Sequence, residues 1–238
     1  MRKILDQSPN FSKGTRNSSQ IKFIIVHYTG MQSEIESIKR LKNRKKKVSC
    51  HYLINQKGKI VQMVSENKSA WHAGKSRWKS YRNLNTNSIG IELVNKGHRY
   101  GYEKFNNLQI NSLISLCKNL RRKYKIKKNG ILGHSDIAPL RKIDPGEKFP
   151  WEKLSKSNLG SWYRDLKNKQ KNLKKKNTRN LFFKNLFKIG YRYFKLNMPK
   201  KTDRLIISAF QRRYTPRKVT GKLNEETLQI SQFLAKTL

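Results

Sequence analysis

Short apolar runs alternate with polar, glycine-containing stretches along the first part of the chain. Residues 21–26 are rich in isoleucine and are followed by the turn-like sequence HYTG, which predicts a buried strand that ends near His27. Residues 52–55 and 60–64 flank a polar connection that contains a glycine, and this arrangement predicts a β-hairpin. Residues 89–94 predict a further strand.

A helix is predicted over residues 105–124, where apolar side chains recur at helical spacing and Asn106 is a candidate N-cap. Residues 131–133 predict a short strand that delivers His134, and prolines in the stretch up to residue 150 predict an ordered loop. Strands and helices therefore alternate irregularly. We expect an α/β fold with a mixed central β-sheet flanked by helices.

The charge pattern changes after the first two thirds of the chain. Residues 167–179 contain seven Lys or Arg and no acid, which predicts an extended linker. We expect a main domain at 1–165, a basic linker at 166–180 and a small three-helix C-terminal domain at 181–238. Its amphipathic helices are predicted over residues 181–189, 204–214 and 225–234.

The composition is strongly basic, with 55 Lys plus Arg against 14 Asp plus Glu and a formal net charge of +41. Such a charge favours attraction to polyanions at low salt, although a compositionally biased genome would produce the same excess. The chain has no recognition-helix motif, RNA-binding signature or Cys/His finger spacing, so we expect no specific nucleic-acid partner. Cys50 and Cys117 form no Cys-x-x-Cys pair and are expected to be buried free thiols.

The N-terminal segment is basic but is followed by polar residues rather than by the apolar stretch of a secretory signal. No window has the roughly 20 apolar residues needed to cross a bilayer, so we expect no transmembrane segment. These features predict a cytoplasmic monomer, with the periplasm or cell envelope as the alternative location.

The candidate chemistry centres on a histidine and an aspartate that follow the last predicted strand. His134 and Asp144 lie ten residues apart across a proline-stiffened loop that can turn both side chains toward one ion. A hydrolytic zinc site needs three protein ligands and one open position for water. His27, at the end of another predicted strand, is the natural third ligand.

Five short motifs surround these residues in a fixed order. They are VHYT at 26–29, SCHYLI at 49–54, AWHAG at 70–74, SIGIE at 88–92, and GHSDIAP at 133–139 with DPG at 144–146. Together they resemble the N-acetylmuramoyl-L-alanine amidase type 2 family, which includes peptidoglycan recognition proteins and phage lysozyme-like amidases, and most of all its anhydro-muropeptide amidase branch. The resemblance covers about residues 20–155. It implies the type 2 amidase fold and hydrolysis of the amide bond between N-acetylmuramic acid and L-alanine in peptidoglycan or muropeptides.

The resemblance also implies roles for individual residues. His27, His134 and Asp144 match the ligands of Zn²⁺, Glu92 matches the acid–base carboxylate, and Lys142 matches the lysine that stabilises the oxyanion. Zinc makes water a stronger nucleophile and polarises the carbonyl, which explains why these residue types occur together. The alternative for each residue alone is a structural histidine or an ordinary ion pair.

The AWHAG motif supplies candidate substrate contacts at Trp71, His72 and Ala73, since an indole ring can stack on a sugar or a peptide. Packing of His72 in the core is the alternative. His51 is expected to brace the fold rather than to bind metal.

The C-terminal segment is similar to the three-helix peptidoglycan-binding module that is often attached to such amidases. Residues 191–202 lack the glycine-rich acidic loop of that module, and the alternative is a helical cap on the amidase domain. Three rival functions remain open at the level of sequence: a non-catalytic peptidoglycan-binding protein, a polyanion-binding basic protein, and a zinc hydrolase of another amide. The sequence also leaves open whether the substrate is intact wall or soluble anhydro-muropeptides.

Overall fold

The structure is a computed structural model, and it describes residues 3–164, 178–196 and 198–237. Within these ranges the strands are β1 (Lys3–Leu5), β2 (Phe23–Tyr28), β3 (Tyr52–Ile54), β4 (Ile60–Gln62), β5 (Arg77–Trp78), β6 (Tyr81–Arg82), β7 (Ser88–Leu93) and β8 (Ile131–Gly133). The helices are α1 (Glu34–Lys42), α2 (Gly97–Tyr100), α3 (Asn107–Lys123), α4 (His134–Ile137), α5 (Trp151–Lys156), α6 (Thr178–Ile189), α7 (Asp203–Tyr214) and α8 (Glu225–Thr237). Among them, no helix has the length and apolar character needed to cross a bilayer.

Six strands form one mixed sheet in the order β1-β4-β3-β7-β2-β8. Strands β3 and β4 pair antiparallel, as the predicted hairpin requires, whereas β7, β2 and β8 run parallel to one another. The predicted mixed sheet flanked by helices is therefore confirmed. Because parallel strands end at the same edge, the carboxyl ends of β7, β2 and β8 lie side by side.

Alternate residues of β2 face opposite sides of this sheet, as expected for a strand buried on both faces. Ile24 and Val26 belong to a core cluster that also contains the apolar face of α3. Phe23 and Ile25 belong to a second cluster, which contains apolar residues of α6, α7 and α8. The C-terminal helices thus cover the face of the sheet opposite α3.

Two asparagine side chains, of which Asn106 was proposed from the sequence, cap the helices that follow them. The side chain of Asn106 accepts a hydrogen bond from the amide of Gln109 at 2.9 Å at the start of α3. Asn224 accepts from the amide of Thr227 at 2.8 Å at the start of α8. All three C-terminal helices occur close to their predicted positions.

The proposed linker extends over residues 166–180, of which 166–177 lie outside the described residues. The partition into domains at 1–165 and 181–238 stays a prediction. Buried side chains that precede the linker in sequence and buried side chains that follow it pack together in one apolar cluster. Cys50 and Cys117 are buried free thiols, as expected.

Candidate active site

Three side chains converge at the carboxyl edge of the sheet. His27 is the penultimate residue of β2, His134 is the first residue of α4, and Asp144 lies on the loop that follows α4. The Nδ1 atoms of the two histidines are 2.9 Å apart, and the Oδ2 atom of Asp144 is 3.0 Å and 3.1 Å from them. All three residues are buried, and they form a candidate metal site.

A chain of hydrogen bonds fixes which nitrogen of His27 is free to bind a metal. The hydroxyl of Ser88 donates its one hydrogen bond to the carbonyl of Leu84 at 2.5 Å, so its oxygen accepts a hydrogen bond from the N–H at Nε2 of His72 at 3.2 Å. Nδ1 of His72 is then unprotonated and accepts from Nε2 of His27 at 3.0 Å. The lone pair of His27 Nδ1 consequently points at His134 and Asp144.

The second histidine is oriented in the same way by a backbone carbonyl. Nε2 of His134 lies 3.2 Å from the carbonyl oxygen of Ala73, which can only accept, so this nitrogen carries the proton. In neutral His134, Nδ1 is therefore also unprotonated. Such partners on the far side of a ligating imidazole are typical of metal sites.

These residues fit a zinc ion. Two unprotonated ring nitrogens and one carboxylate oxygen face one another at 2.9–3.1 Å, an arrangement of lone pairs that a cation would stabilise. Tetrahedral zinc with bonds of about 2.0–2.1 Å brings its ligand atoms to about 3.3 Å from one another, close to the observed spacing. Two His and one Asp also leave the fourth position open, as hydrolytic zinc sites do.

Burial and mutual contact hold the ligands in the protonation states that a metal requires. Burial, with the nearby His134, lowers the pKa of His27 to about 4. Burial by itself would raise the pKa of Asp144, but the adjacent His134 and His27 hold it well below its usual range. A neutral His27 and an ionised Asp144 are therefore the forms present near neutral pH.

Glu92 lies beside this cluster, because β7 pairs with β2 in a register that sets Glu92 opposite His27. Burial raises the pKa of Glu92 well above its usual range, and the carboxylate of Asp144 adds to the rise. Its Oε2 atom is buried and has no hydrogen-bond partner among the residues that the structure describes. A carboxyl group with these properties is suited to accept and release a proton.

The cleft beside the ligands is also lined by cationic side chains. Lys142 reaches it from the loop that carries Asp144, and Arg40 reaches it from α1. Arg141 lines it too, and its guanidinium donates to the carbonyl oxygens of Ala73 and Lys75. Positive charge in this cleft can offset the negative charge that develops on the oxygen of a reacting carbonyl group.

The candidate substrate contacts from the AWHAG motif occupy different positions. His72 lines the cleft but is 5% exposed and pairs with His27, whereas Ala73 is fully buried and holds His134 through its carbonyl. Trp71 is half-buried and donates from its indole nitrogen to Ser12 at 3.2 Å, outside the cleft lining. Direct contact of these three residues with substrate stays a prediction.

Sequence reasoning missed Arg40 and Arg141 at the cleft. Arg40 lies on α1, a helix that was not predicted from the sequence. Arg141 directly precedes Lys142 between the last two motifs, so its position in the chain was the available signal. His51 is buried, and its Nδ1 accepts from the amide of Gly90 at 2.9 Å, in keeping with the expected bracing role.

Comparisons with known proteins agree with this geometry. Residues 17–147 match the family model described as N-acetylmuramoyl-L-alanine amidase. The chain is 34% identical to the N-acetylmuramoyl-L-alanine amidase AmiD of Escherichia coli, over 96% of this chain and 89% of the relative.

Two solved structures resemble the whole described fold. One is E. coli AmiD in complex with the substrate anhydro-N-acetylmuramic acid-L-Ala-D-gamma-Glu-L-Lys, with a TM-score of 0.78, 30% identity, and coverage of 95% of this chain and 92% of that chain. The other is AmpDh3 from Pseudomonas aeruginosa in complex with anhydromuramic pentapeptide, with a TM-score of 0.79, 27% identity, and coverage of 98% of both chains. The family match and the identity to AmiD over nearly the whole chain establish the relationship: the chain belongs to the N-acetylmuramoyl-L-alanine amidase family.

Proposed function

We propose that this chain is a zinc-dependent N-acetylmuramoyl-L-alanine amidase whose metal is held by His27, His134 and Asp144. The observation that carries the proposal is the convergence of two Nδ1 lone pairs and one carboxylate oxygen within 2.9–3.1 Å of one another. Zinc bound there would act as a Lewis acid on the scissile carbonyl and make water a stronger nucleophile.

Glu92 is proposed as the proton carrier of the hydrolysis. Its raised pKa and unpartnered Oε2 allow it to take a proton from the attacking water as the new C–O bond forms. It then delivers that proton to the L-alanine nitrogen as the C–N bond breaks. The products are a lactyl carboxylate on the sugar and a peptide with a free amino terminus.

Lys142 is proposed to stabilise the tetrahedral intermediate. It lines the cleft and approaches from the same loop as Asp144, so its ammonium group can offset negative charge on the former carbonyl oxygen. Arg40 and Arg141 add positive charge to the same cleft, which favours a substrate with carboxylates.

We propose peptidoglycan-derived muropeptides as the substrate, including those with a 1,6-anhydro end. This is supported by the similarity to AmiD and AmpDh3, whose complexes hold anhydro-muramyl peptides. The chain would be incubated with purified muropeptides, with and without the anhydro end, and the products analysed by mass spectrometry. We expect free peptide and free sugar from the anhydro form, and we expect a chelator to abolish the cleavage and added zinc to restore it.

Two outcomes would contradict the proposal. Retention of muropeptide without cleavage by zinc-loaded protein would indicate a peptidoglycan-binding protein instead. Cleavage at the same rate in the presence of chelator would show that the His27, His134 and Asp144 cluster does not act through a metal.

A further inference from the structure

A buried carboxylate, Asp136, lies two residues after the ligand His134 and outside the set of proposed ligands. It is 1% exposed and lies within α4. Its Oδ2 atom accepts a hydrogen bond from the amide of Gly133 at 2.8 Å, and its Oδ1 atom accepts from the hydroxyl of Tyr191 at 2.5 Å. The guanidinium of Arg213 completes the set with an ion pair to Oδ2.

Tyr191 and Arg213 both come from the C-terminal helical region. Tyr191 follows α6 and is fully buried, and Arg213 is the penultimate residue of α7 and is 3% exposed. Arg213 also donates to the carbonyl of Ile131 in β8 at 3.1 Å, and its guanidinium lies 4.0 Å from the centre of the Trp151 ring. The C-terminal region therefore holds the strand before His134 as well as the helix that begins at it.

Helix α4 connects the two ligands that follow β8. His134 is its first residue, and the amide of Ser135 donates to the carbonyl oxygen of Asp144 at 2.9 Å. A displacement of α4 would thus move two of the three proposed metal ligands. Because α4 is only one turn long, its own hydrogen bonds give it little independent stability.

The Arg213–Asp136 ion pair joins α7 to α4, but it is an inefficient means of stabilising the fold. A buried ion pair loses its hydration, and apolar side chains of similar volume often give equal stability. Its hydrogen bonds do, however, define one geometry, since the planar guanidinium meets Asp136 and Ile131 at fixed directions.

We propose that Tyr191 and Arg213 are positioning residues for the metal centre and act on His134 and Asp144 through Asp136. This inference rests on the proposed function, in which those two residues hold zinc. It makes the C-terminal helices part of the active-site scaffold, in addition to any role in binding cell wall.

The test compares zinc affinity of full-length variants, measured by competition with a chromogenic chelator. Tyr191→Phe removes one hydroxyl and keeps the ring, Arg213→Met removes the ion pair, and Arg213→Lys keeps the charge without the planar fork. Arg179→Met is the matched control, because it breaks an ion pair to Asp203 within the C-terminal region. Circular dichroism at the assay temperature selects folded variants for comparison.

We expect Tyr191→Phe and Arg213→Met to weaken zinc binding by up to roughly 10-fold, the lower end of the effect of losing a group that hydrogen-bonds a ligand directly, because both residues act through Asp136. Arg213→Lys should recover part of the loss, and Arg179→Met should bind as wild type does. Hydrogen exchange of metal-free protein gives a second readout, in which the amides of Gly133 and Ser135 should lose protection in the first two variants.

Wild-type zinc affinity and wild-type exchange in folded Tyr191→Phe and Arg213→Met would overturn the proposal and leave the C-terminal helices as a packing cover. If Arg213→Met does not fold, Tyr191→Phe decides the result alone. Failure of the wild type to bind zinc would instead refute the proposed function, and the exchange of the Gly133 amide would still decide whether Tyr191 holds α4.

Discussion

At the residue scale, the two histidines of the proposed metal site are oriented by groups that lie outside it. Ser88 determines the tautomer of His72, and His72 determines the tautomer of His27, so a lone pair is presented at Nδ1. The carbonyl of Ala73 does the same for His134. The AWHAG motif therefore has a structural explanation: its side chain at 72 and its backbone at 73 orient two proposed ligands.

The proton-carrier role of Glu92 predicts a specific failure of the Glu92→Gln variant. The change keeps the size of the side chain and removes its titratable oxygen, so zinc content and muropeptide affinity should stay as in wild type. The cleavage rate should fall roughly 100 to 10,000-fold, the usual contribution of a positioned acid or base. Metal analysis, equilibrium binding and product formation measure the three quantities.

Asp144→Asn is the matched comparison, because it makes the same chemical change at a proposed ligand. An amide is a poorer ligand than a carboxylate, so this variant should lose zinc as well as activity. A Glu92→Gln variant that cleaves muropeptides at the wild-type rate would assign the proton transfer to another group. A Glu92→Gln variant that is poor in zinc would make Glu92 part of the metal centre.

The proposed ligands, Glu92 and Lys142 could be proposed from the sequence, because they lie in or next to short motifs that occur in a fixed order. The hydrogen bonds that set the tautomers of His72 and His27 could not be predicted. Leu84 and Ser88 contribute only a backbone carbonyl and a hydroxyl, and neither residue type indicates such a role in the sequence. The buried ion pair of Arg213 could not be predicted either. Arg213 is one of 55 Lys plus Arg in the chain, and its burial is a property of the folded structure.

At the element scale, a glycine in strand β7, Gly90, leaves space for the ring of His72. A Cβ atom at Gly90 would lie 2.3 Å from Cγ and 2.6 Å from Nδ1 of His72, closer than real atoms approach. Gly90 lies two residues before Glu92 on the same strand. The glycine of the SIGIE motif thus gives His72 the space to reach His27.

Gly90→Ala should therefore damage the metal centre without touching a ligand. The methyl group must displace the His72 ring, which frees Nε2 of His27 from its partner, so zinc affinity should fall roughly 10 to 100-fold. Overpacking should also lower the free energy of unfolding by about 1–3 kcal/mol. Competition with a chelator and urea denaturation measure the two effects.

Gly14→Ala provides the control, because a Cβ atom at this exposed glycine meets nothing within 4 Å. It should change neither zinc affinity nor stability. Equal zinc affinity in Gly90→Ala and Gly14→Ala would mean that the position of His72 has no influence on His27.

The longest elements were predicted, and the short ones were predicted less completely. Strand β2 has a continuous apolar run, β7 has apolar residues at alternate positions and α3 has them at helical spacing, and their predicted bounds differ from the observed ones by a few residues. Helix α1 was missed although Ile35, Ile38 and Leu41 recur at helical spacing after the N-cap Ser33, because the helix is only nine residues long and most of its side chains are charged. Strand β1 is an edge strand of three residues whose pairing with β4 depends on the fold and not on a local pattern.

At the scale of the whole molecule, one of the few acids of this strongly basic chain, Glu66, is buried between the central sheet and α3. Glu66 is 7% exposed and accepts hydrogen bonds from the hydroxyls of Tyr52 and Tyr124 and from the ammonium of Lys123. Tyr52 lies on β3, and Lys123 and Tyr124 lie at the end of α3. Glu66 therefore ties the sheet to the long helix that covers one of its faces.

This arrangement gives folding stability a defined dependence on pH. Burial alone would raise the pKa of Glu66, but its bonds to Lys123, Tyr124 and Tyr52 lower it from 4.5 to about 2. A depressed pKa means that the stabilisation is present above about pH 4.5 and is lost as the pH falls toward 2. The size of the shift corresponds to at most about 3 kcal/mol, and solvent around the exposed ammonium of Lys123 reduces that contribution.

Urea denaturation followed by tryptophan fluorescence would compare the stability of wild type and Glu66→Gln, with a chelator present so that metal loss does not contribute. Near neutral pH the variant should be less stable by about 1–3 kcal/mol, and the stabilities of the two proteins should converge as the pH approaches about 2. Charge repulsion grows on acidification in both proteins alike, so their difference isolates Glu66. Glu152→Gln is the control, since it removes only an exposed ion pair with Lys156 and should leave stability nearly unchanged at every pH. A difference between wild type and Glu66→Gln that stays constant from neutral to acid pH would show that Glu66 stabilises the fold by shape and not by its charge.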